Sequence, residues 1–578
     1  MKFKYLALSF GAICMSLTSC TNSCPPLVCE DGEDVIDEIK PVEYEDKDKQ
    51  EPVYNGEDVL VTRVNTTEFG DTYIEFNGKP LLYNGIQIRT DAFMNTDKWT
   101  VEDLEVLFKT AKECGFNMVQ VPLEWADIEI AKDVYDFYYL FKVLEYARKY
   151  DLKVELLWFG TNMCGDTHSY TVPDYILKDG KTYPKFDAPR TGEFWSYYGL
   201  MWYLDFDDPD LLEREGLALE KCMDFIYEYD STHGTPKSVV GVQIHNEPDI
   251  FARWRIVTAD KEVKNPETGE TFTKEDAFAT VLPALDYLGK VVKNHKYKVI
   301  TRVNIATLTK GDGDGESSGI YKGDGSIATI RDFAKDIYNL EGIDIVGDDC
   351  YDALLNDVKG IQLMLKDQLK GNYAHIAEND GNYANTPSLM LTSAVTKSGY
   401  IVYELATSPF FKANNASDID QGIYEVNDDK TLTPKDHQKN ITNMLSALNA
   451  CKNPLILSKL GNTLGFNLST TNPEITIEQT INSENVSVNF KTNTGALGYV
   501  VDYNDALYAY FLGNAELTIS NATISNISVG SFSENEFTAS ESLEASNHLN
   551  AEANKLYKLD YTNVEGTLES TALENIGG

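Results

Sequence analysis

The segment Gly241-Val-Gln-Ile-His-Asn246-Glu247-Pro248-Asp249 decides the predicted fold of this 578-residue chain. Its apolar run is typical of a buried strand, and it ends abruptly in an amide, a carboxylate and a proline. At the carboxyl end of a barrel strand, Asn246 and Glu247 would place a hydrogen-bonding amide beside a carboxyl that transfers protons. The alternative is that these residues form a surface turn or a helix cap.

On both sides of this segment, apolar β-branched runs alternate with helical patterns, which is typical of a parallel sheet with crossover helices. Strands are predicted at Tyr83–Arg89, Asn117–Trp125, Lys153–Phe159, Val239–Asn246, Lys298–Asn304, Ile343–Cys350, Tyr373–Glu378 and Tyr400–Leu405. Helices are predicted near 101–114, 136–150, 209–229, 275–294, 328–339, 354–369, 386–397 and 436–451. The pattern predicts an α/β fold, a (β/α)8 TIM barrel with its active site at the carboxyl ends of the strands. A doubly wound open sheet is the alternative, but no glycine-rich phosphate-binding motif follows the first strand.

The chain divides into four predicted segments, at residues 1–19, 20–56, 57–460 and 461–578. The first is a lipoprotein signal peptide. The second is an acidic, extended tether, because it carries eleven acidic residues against three lysines between Glu30 and Glu51. The third is the catalytic barrel, preceded by a small N-terminal β hairpin. The fourth shows short alternating strands and predicts a β-sandwich domain that acts as a scaffold, with glycan binding as the alternative.

The N-terminus predicts a lipid anchor. Lys2 and Lys4 precede a short apolar stretch that ends in Leu17-Thr-Ser-Cys20. This ending resembles the lipobox of bacterial lipoproteins, which implies that Cys20 is the acylated first residue of the mature protein. A signal peptide cleaved beside an incidental cysteine is the alternative. We therefore expect a protein of the bacterial cell envelope, anchored by lipid in a membrane on its periplasmic or cell-surface face.

The composition excludes several classes of partner. Ninety-one acidic residues against 50 basic ones give a net charge of -41, which would repel a nucleic-acid backbone. The nine cysteines and seven histidines show no metal-binding spacing, so neither a metal nor a cofactor is predicted. Cys24 and Cys29 lie close enough in the chain to pair in an oxidising compartment. Gly311-Asp-Gly-Asp-Gly315 departs from the ligand pattern of a calcium loop and predicts a polar loop instead.

Residues 75–410 resemble the retaining glycoside hydrolases of clan A, in particular the β-galactosidase-like families 35 and 42. Phe76-Asn-Gly-Lys-Pro-Leu-Leu-Tyr-Asn-Gly85 is similar to the opening of the family 35 domain, and residues 111–122 are similar to its second β/α unit. His245 departs from family 35, which usually has a glutamate there, and Pro248 is more like family 42. The resemblance implies a TIM barrel that cleaves glycosidic bonds with two carboxyl groups.

The resemblance also implies roles for residues at the strand ends. Glu247, after the fourth strand, is the acid/base, and Asn246 binds the sugar's 2-hydroxyl. By analogy with the clan, a tyrosine after the sixth strand hydrogen-bonds the nucleophile. In this sequence that tyrosine is Tyr351. Three further predicted substrate-binding residues follow strands one to three and face the mouth of the barrel, namely Arg89, Trp125 and Asn162.

Two glutamates compete for the role of nucleophile. Glu378 ends the predicted seventh strand, and Glu404 lies in the predicted eighth strand. The clan pattern places the nucleophile after strand seven, so the strand count and the resemblance to family 42 both favour Glu378. Glu404 is then a substrate-binding carboxylate. One missed strand would exchange the two roles.

These observations together predict a glycoside hydrolase that cleaves a β-linked oligosaccharide or polysaccharide with retention, and a β-galactosidase is one candidate. Long loops at 160–208, 249–274 and 306–327 are predicted on the active-site face, and aromatic residues in the first two either stack on sugar rings or only pack the loops. One alternative is a non-catalytic surface glycan-binding lipoprotein. Another is an endo-acting β-glucanase or β-mannanase.

Overall fold

The structure of the protein is a computed structural model. It describes residues 39–161, 171–179, 182, 185–187, 202–204, 208–234, 237–248, 276–306, 320–321, 327–328, 330–349, 369–414, 420–481, 484–533 and 536–563. The predicted signal peptide with Cys20, the helix predicted near 354–369 and the segment 311–315 lie outside these ranges. Among the described residues, no helix is both long enough and apolar enough to cross a membrane.

Eight parallel strands close into a barrel, which confirms the predicted fold class. In chain order the strands are Asn84–Gln87 (β1), Met118–Glu124 (β2), Lys153–Phe159 (β3), Val239–Ile244 (β4), Ile300–Ala306 (β5), Ile345–Asp349 (β6), His375–Asp380 (β7) and Gly399–Tyr403 (β8). The sheet closes where Tyr400 of β8 pairs with Asn84 of β1, so the open doubly wound alternative is excluded.

The strand β4 shows why the quoted segment belongs to the barrel wall. All of its residues are buried, as expected for a strand covered on one side by helices and on the other by the barrel interior. Gly241 allows β4 and β5 to approach closely, because a Cβ atom there would lie 2.9 Å from the Cγ1 atom of Ile300. The strand ends at Ile244, so His245, Asn246 and Glu247 follow at the mouth of the barrel.

The helices surround the barrel and follow the predicted positions wherever the two can be compared. They are Thr90–Asn95 (α1), Glu105–Cys114 (α2), Trp125–Ile128 (α3), Tyr138–Lys149 (α4), Asp174–Lys178 (α5), Pro209–His233 (α6), Asp276–Asn294 (α7), Ile330–Tyr338 (α8), Thr386–Val395 (α9), Pro409–Asn414 (α10), Gln438–Ala450 (α11) and Lys452–Leu457 (α12). The start of α6 follows from its sequence, because Asp208 accepts a hydrogen bond from the backbone N–H of Leu211 and Pro209 occupies the first helical position.

Short strands fill the connections between these elements. They are Val59–Leu60, Thr62–Thr66, Thr72–Phe76, Lys79–Leu81, Glu129–Ala131, Val134–Tyr135, Lys185–Asp187, Trp202–Leu204, Tyr297–Lys298, Ile320–Tyr321, Ile327–Ala328, Tyr424–Val426 and Leu432–Pro434. Three of them, in the order Thr62–Thr66, Thr72–Phe76 and Lys79–Leu81, form the small N-terminal sheet. Asn77 and Gly78 connect the last two with positive φ angles of 48° and 74°, as a tight two-residue hairpin turn requires.

The described half of the predicted tether, residues 39–56, has no helix or strand and is mostly exposed, but it does not stand free of the barrel. It lies against α4 and α6, where Asp48 pairs with Arg148 at 2.6 Å and Lys49 pairs with Glu228 at 2.8 Å. Backbone hydrogen bonds to the last turn of α6 continue this contact. The segment is docked because its charged residues meet opposite charges on the helices, and such partners cannot be read from local composition.

The C-terminal strands form two antiparallel sheets, which fits the predicted β-sandwich. The strands are Thr463–Leu468 (β9), Glu474–Ile481 (β10), Glu484–Lys491 (β11), Ala496–Tyr503 (β12), Ala506–Phe511 (β13), Ala515–Ser520 (β14), Ala522–Ser533 (β15), Glu536–Leu543 (β16), His548–Ala551 (β17) and Leu556–Asn563 (β18). One sheet has the order β9-β12-β13-β18-β15-β16 and the other β10-β11-β14-β17. Phe466, Phe490 and Phe511 pack in the core of this domain. The domain contacts the barrel, since the hydroxyl of Tyr499 donates to the backbone oxygen of Ala447 at 2.7 Å.

A buried carboxyl near the end of α6 makes stability depend on pH. Asp230 is 2% exposed and accepts a hydrogen bond from the hydroxyl of Tyr297. Burial raises the pKa of Asp230 to about 7. The folded-state pKa lies above the unfolded value, so Asp230 does not destabilise the folded protein below about pH 4, where it is protonated in both states. Above that pH the destabilisation grows until the pH passes about 7. We expect Asp230→Asn to raise the free energy of unfolding above pH 7 by up to about 4 kcal/mol and to leave it unchanged near pH 3.5. Urea unfolding across this pH range measures the difference.

Asp224, on the same helix, supplies a control of opposite sign. Burial tends to raise its pKa, but the hydrogen bond from His295 and the charges of His295, Lys296 and Lys221 outweigh burial, so the pKa is lowered. Asp224→Asn should therefore lower stability at neutral pH and have no effect in strong acid. Equal pH dependence in both variants would contradict the assignment of the raised pKa to Asp230.

Candidate active site

Polar side chains converge at the carboxyl ends of β4 to β7. Asn304 lies in β5, Asp349 ends β6, and Glu378 lies in β7. The register pairs Asp349 with Glu378, and paired residues in neighbouring strands project their side chains to the same side of the sheet. The turn after β4 adds Asn246 and Glu247, so four strands contribute to one group of side chains.

The turn after β4 has an unusual backbone. His245 and Glu247 have positive φ angles of 58° and 43°, in the left-handed region that residues other than glycine rarely adopt. The backbone N–H of Glu247 donates to Oδ1 of Asn304 at 3.2 Å, which ties the turn to β5. Non-glycine residues persist in this conformation only where surrounding contacts fix them, and such residues cluster at functional sites.

A buried carboxylate supports this turn from behind. Glu215 of α6 is 1% exposed and accepts hydrogen bonds from the indole N–H of Trp158 at 2.9 Å and the hydroxyl of Thr161 at 2.5 Å. Nε2 of His245 lies 3.3 Å from the same carboxylate. Burial lowers the pKa of His245, although the charge of Glu215 opposes the shift. We infer a neutral imidazole that packs beneath the turn.

Asn304 connects the turn to Asp349. Its Nδ2 atom donates to Oδ1 of Asn246 and to Oδ2 of Asp349, each at 2.6 Å. Asn304 and Asp349 are fully buried, whereas Asn246 and Glu247 are half-buried. The amide of Asn304 therefore holds the predicted sugar-binding residue and the end of β6 in fixed positions.

Asp349 lies within electrostatic reach of two other carboxyl groups, those of Glu247 and Glu378. Burial raises the pKa of Asp349 well above its ordinary value, and the charges of Glu378 and Glu247 raise it further, while Arg302 opposes them. Burial and the two neighbouring carboxylates thus favour the neutral form of Asp349. The two predicted catalytic glutamates thus converge on one buried acid.

The predicted nucleophile lies in its predicted strand, and its competitor lies just beyond the end of the next one. Glu378 lies in the seventh strand of the barrel, is 8% exposed, and accepts a hydrogen bond from Nε2 of Gln87 at 3.4 Å. Glu404 directly follows the eighth strand and is 4% exposed. The strand count on which the assignment depends is therefore confirmed, and the roles of the two glutamates stay predictions.

Arg89 follows β1 and reaches across to the end of β8. Its guanidinium forms two hydrogen bonds with Asp91, at 2.9 and 2.7 Å, and a third with the hydroxyl of Tyr403 at 2.8 Å. Arg89 is 6% exposed. The structure thus places it at the predicted end of the barrel, where it orients Tyr403.

The remaining predicted substrate-binding residues are not brought into this group. Trp125 is fully buried and donates its indole N–H to Glu129 at 2.9 Å. Asn162 and Tyr351 lie outside the described residues, as do the predicted loop aromatics such as Trp195 and Trp254. Their contacts with substrate stay predictions.

Several residues of the site were missed by the sequence analysis. These side chains are polar residues within apolar strands, namely Gln87, Gln243, Arg302, Asn304 and Asp349. One pattern could have identified two of them, because Arg302 and Asn304 are two positions apart in Ile300-Thr-Arg-Val-Asn-Ile305 and so project to the same side of β5. Within the described ranges, no three His, Cys, Asp or Glu side chains are placed to hold a metal ion.

The comparisons with known families and sequences give a limited match. A family model described as a domain of unknown function, DUF4978, matches residues 280–473, which hold β5 to β8 and the first strand of the C-terminal domain. Among curated proteins, none matches the sequence of this chain. The matched region includes Asn304, Asp349 and Glu378 but not the turn after β4.

Solved structures similar to this chain include several glycoside hydrolases. An endo-1,4-β-mannanase from Rhizomucor miehei is 13% identical, with a TM-score of 0.44 over 67% of this chain and 99% of that chain. A β-galactosidase from Halorubrum lacusprofundi is 12% identical, with a TM-score of 0.40 over 64% of this chain and 58% of that chain. An exo-β-1,4-mannosidase from Opitutaceae bacterium strain TAV5 is 12% identical, with a TM-score of 0.43 over 68% of this chain and 63% of that chain. Similarity at this level carries no argument about the reaction that this chain catalyses.

Proposed function

We propose that the protein is a glycoside hydrolase that cleaves a β-linked glycan with retention of configuration. The observation that carries this proposal is the convergence of Glu247, after the fourth barrel strand, and Glu378, in the seventh, on the buried carboxyl of Asp349. Two carboxyl groups at the mouth of a barrel are what glycosidic cleavage requires. The strained turn that carries Glu247 adds support, since strain of this kind is typical of functional sites.

The proposed reaction has two steps. Glu378 attacks the anomeric carbon while Glu247 protonates the departing glycosidic oxygen, which forms a covalent glycosyl-enzyme. A water molecule then gives its proton to Glu247 and attacks the same carbon, which releases the sugar and frees Glu378. This mechanism requires a separation of about 5–5.5 Å between the two carboxyl groups, against about 6.5–9.5 Å for an inverting pair.

The raised pKa of Asp349 suits this chemistry. If Asp349 were ionised, its negative charge would lie beside that of the nucleophile Glu378 in a site of low dielectric. The raised pKa of Asp349 favours its neutral form, and a neutral carboxyl can donate a hydrogen bond while its other oxygen accepts from Asn304. We expect activity to fall at alkaline pH when either Glu247 or Asp349 loses its proton.

A panel of aryl β-glycosides and β-linked polysaccharides tests the proposal. We expect the purified protein to hydrolyse at least one of them, with the β-anomer of the sugar released first, as seen by proton NMR. Hydrolysis of a β-galactoside would identify a β-galactosidase, whereas cleavage within a glucan or mannan would identify an endo-acting enzyme. Binding without turnover of any substrate would contradict the proposal and favour a non-catalytic glycan-binding protein.

We further propose that Cys20 is acylated and anchors the protein in a membrane of a bacterial cell envelope. The sequence Leu17-Thr-Ser-Cys20 supports this proposal. We expect labelled palmitate to be incorporated into the wild type and not into Cys20→Ala, with a matching loss of partition into detergent. Cys24→Ala, a change of the same size four residues later, should still be labelled. Equal labelling of the wild type and Cys20→Ala would contradict the assignment.

A further inference from the structure

We infer that Gln243 and Asn304 are positioning residues that fix the orientation of the Asn246 amide, so that its amino group faces the substrate. The side chains of Glu155, Arg302, Gln243, Asn304 and Asn246 form one hydrogen-bonded set, called here the amide relay. The inference deepens the proposed function, because the substrate group in question is the hydroxyl beside the anomeric carbon. It predicts that the enzyme requires an acceptor at this position of the sugar.

The amide relay begins at a buried ion pair. Arg302 donates to both oxygens of Glu155, at 2.8 and 3.1 Å, and both side chains lie in the closed interior of the barrel. Nη2 of Arg302 also donates to Oε1 of Gln243. A guanidinium has only donors, so the oxygen of Gln243 must face Arg302 and its amino group must point away.

The other end of Gln243 agrees with this orientation. Its Nε2 atom donates to the backbone oxygen of His245 at 2.8 Å and to Oδ1 of Asn246 at 3.1 Å. A backbone oxygen can only accept, so a reversed Gln243 would place acceptor against acceptor there and donor against donor at Arg302. Both neighbours therefore require the same orientation of this buried amide.

Asn304 has an independently fixed orientation. Its Oδ1 atom accepts from the backbone N–H of Glu247, which can only donate. Its Nδ2 atom must then face the other way, where it donates to Oδ1 of Asn246 and to Asp349. Two separate chains of constraint, one from Arg302 and one from the backbone of Glu247, thus place an N–H donor against the same atom of Asn246.

The amide of Asn246 can satisfy both donors in one orientation only. Reversal would bring its amino group against two N–H donors in a partly buried site, where leaving hydrogen bonds unmade is costly. In the fixed orientation its Nδ2 atom points away from both, and among the described residues none accepts a hydrogen bond from it. This amino group is therefore ready to donate to the oxygen of a 2-hydroxyl. A 2-amino or 2-acetamido sugar presents N–H there instead, so glycans with a free 2-hydroxyl are the expected substrate class.

The test compares two substrates in each variant. For the sugar that the wild type hydrolyses, kcat/KM is measured for the aryl glycoside and for its 2-deoxy form. The ratio of the first value to the second reports how much the 2-hydroxyl contributes. Gln243→Glu is nearly isosteric but replaces the donor to Asn246 by an acceptor, and Arg302 keeps the introduced carboxylate ionised. We expect the ratio to fall about 100-fold, as for other lost donors in the transition state. Gln243→Met removes the donor without adding charge and should lower the ratio about 10-fold.

Gln120→Glu is the matched control. Gln120 is also fully buried and donates to Oε2 of Glu155 at 2.5 Å. Gln120→Glu therefore replaces an amide by a carboxyl beside the same Glu155–Arg302 ion pair. Its hydrogen bond goes to Glu155 rather than to Asn246, so it should affect both substrates equally and leave the ratio unchanged. Asn246→Ala sets the lower limit of the ratio, and adding Gln243→Glu to it should lower the ratio no further.

The outcomes distinguish a failure of the inference from a failure of the proposed function. A ratio within about threefold of the wild type in folded Gln243→Glu overturns the inference and leaves the proposed function intact. If Gln243→Glu does not fold, Gln243→Met is judged by the same criterion. An equal fall of the ratio in Gln120→Glu also overturns the inference, because the effect would then come from the ion pair alone. A wild type that hydrolyses no glycoside overturns the proposed function and the inference together.

Discussion

Replacement of Glu378 by glycine is expected to abolish turnover of every substrate, and azide is expected to restore it for a glycoside with an activated leaving group. The side chain lies in the seventh strand, beside Gln87 and within reach of Asp349, where a nucleophile must stand. Removing it prevents the covalent intermediate, and a small anion that enters the space attacks the anomeric carbon from the same side. NMR of the product should show the α-glycosyl azide, which has the inverted configuration.

Glu404→Gly is the matched control, since it removes the same group from the next strand end. It should reduce activity through weaker substrate binding, and azide should not restore it. If Glu404→Gly shows the azide product and Glu378→Gly retains activity, the nucleophile belongs to the eighth strand and our assignment is wrong.

Replacement of Glu247 by alanine is expected to give an effect that depends on the leaving group. For an aryl glycoside with a poor leaving group, we expect kcat/KM to fall about 10²- to 10⁴-fold, because the glycosidic oxygen then departs without a proton. A dinitrophenolate leaves without protonation, so its first step should be nearly unaffected, and the glycosyl-enzyme should accumulate. Added azide should release it as the β-glycosyl azide. The alkaline limb of the pH profile should also shift, because one of its two acids is lost.

Glu124→Gln is the control for this second effect. Glu124 ends β2 and is 3% exposed, and burial, followed by the charges of Asp127 and Asp91, raises its pKa. Glu124 is thus another buried carboxyl with a raised pKa at a strand end. Glu124→Gln should change kcat/KM by the same factor for every leaving group. A dependence on the leaving group as steep as that of Glu247→Ala would contradict the acid/base assignment.

The barrel was predictable because its strands and helices follow local patterns. Strands such as Val239–Ile244 are buried on both sides, so they appear as short apolar runs, and α6 starts at an Asp-Pro pair that caps a helix. The docking of residues 39–56 was not predictable in this way. Asp48 and Lys49 look like solvated charges in sequence, and their partners Arg148 and Glu228 lie about 100 residues or more away in the chain.

The site was only partly predictable for a related reason. Asn246 and Glu247 are conspicuous because they follow a strand. Gln243 and Arg302 are polar residues within apolar strands, and the hydrogen bond that links them to the site is visible only in the structure. Trp125 was predicted to face the substrate because it follows a strand; the structure shows that α3 begins at this residue and that its ring is buried. Its hydrogen bond to Glu129, four residues later, depends on that helical turn and could not be read from the position after a strand.

Covalent trapping tests the central claim most directly. The wild type is incubated with an activated 2-deoxy-2-fluoro glycoside of the sugar that it hydrolyses, and the labelled protein is digested and sequenced by mass spectrometry. The fluorine slows both formation and hydrolysis of the glycosyl-enzyme, and the good leaving group makes formation the faster of the two. A retaining enzyme therefore accumulates its glycosyl-enzyme. We predict one sugar per chain, attached to Glu378. Attachment to Glu404, or continued hydrolysis of the parent glycoside with no covalent label, would contradict the account.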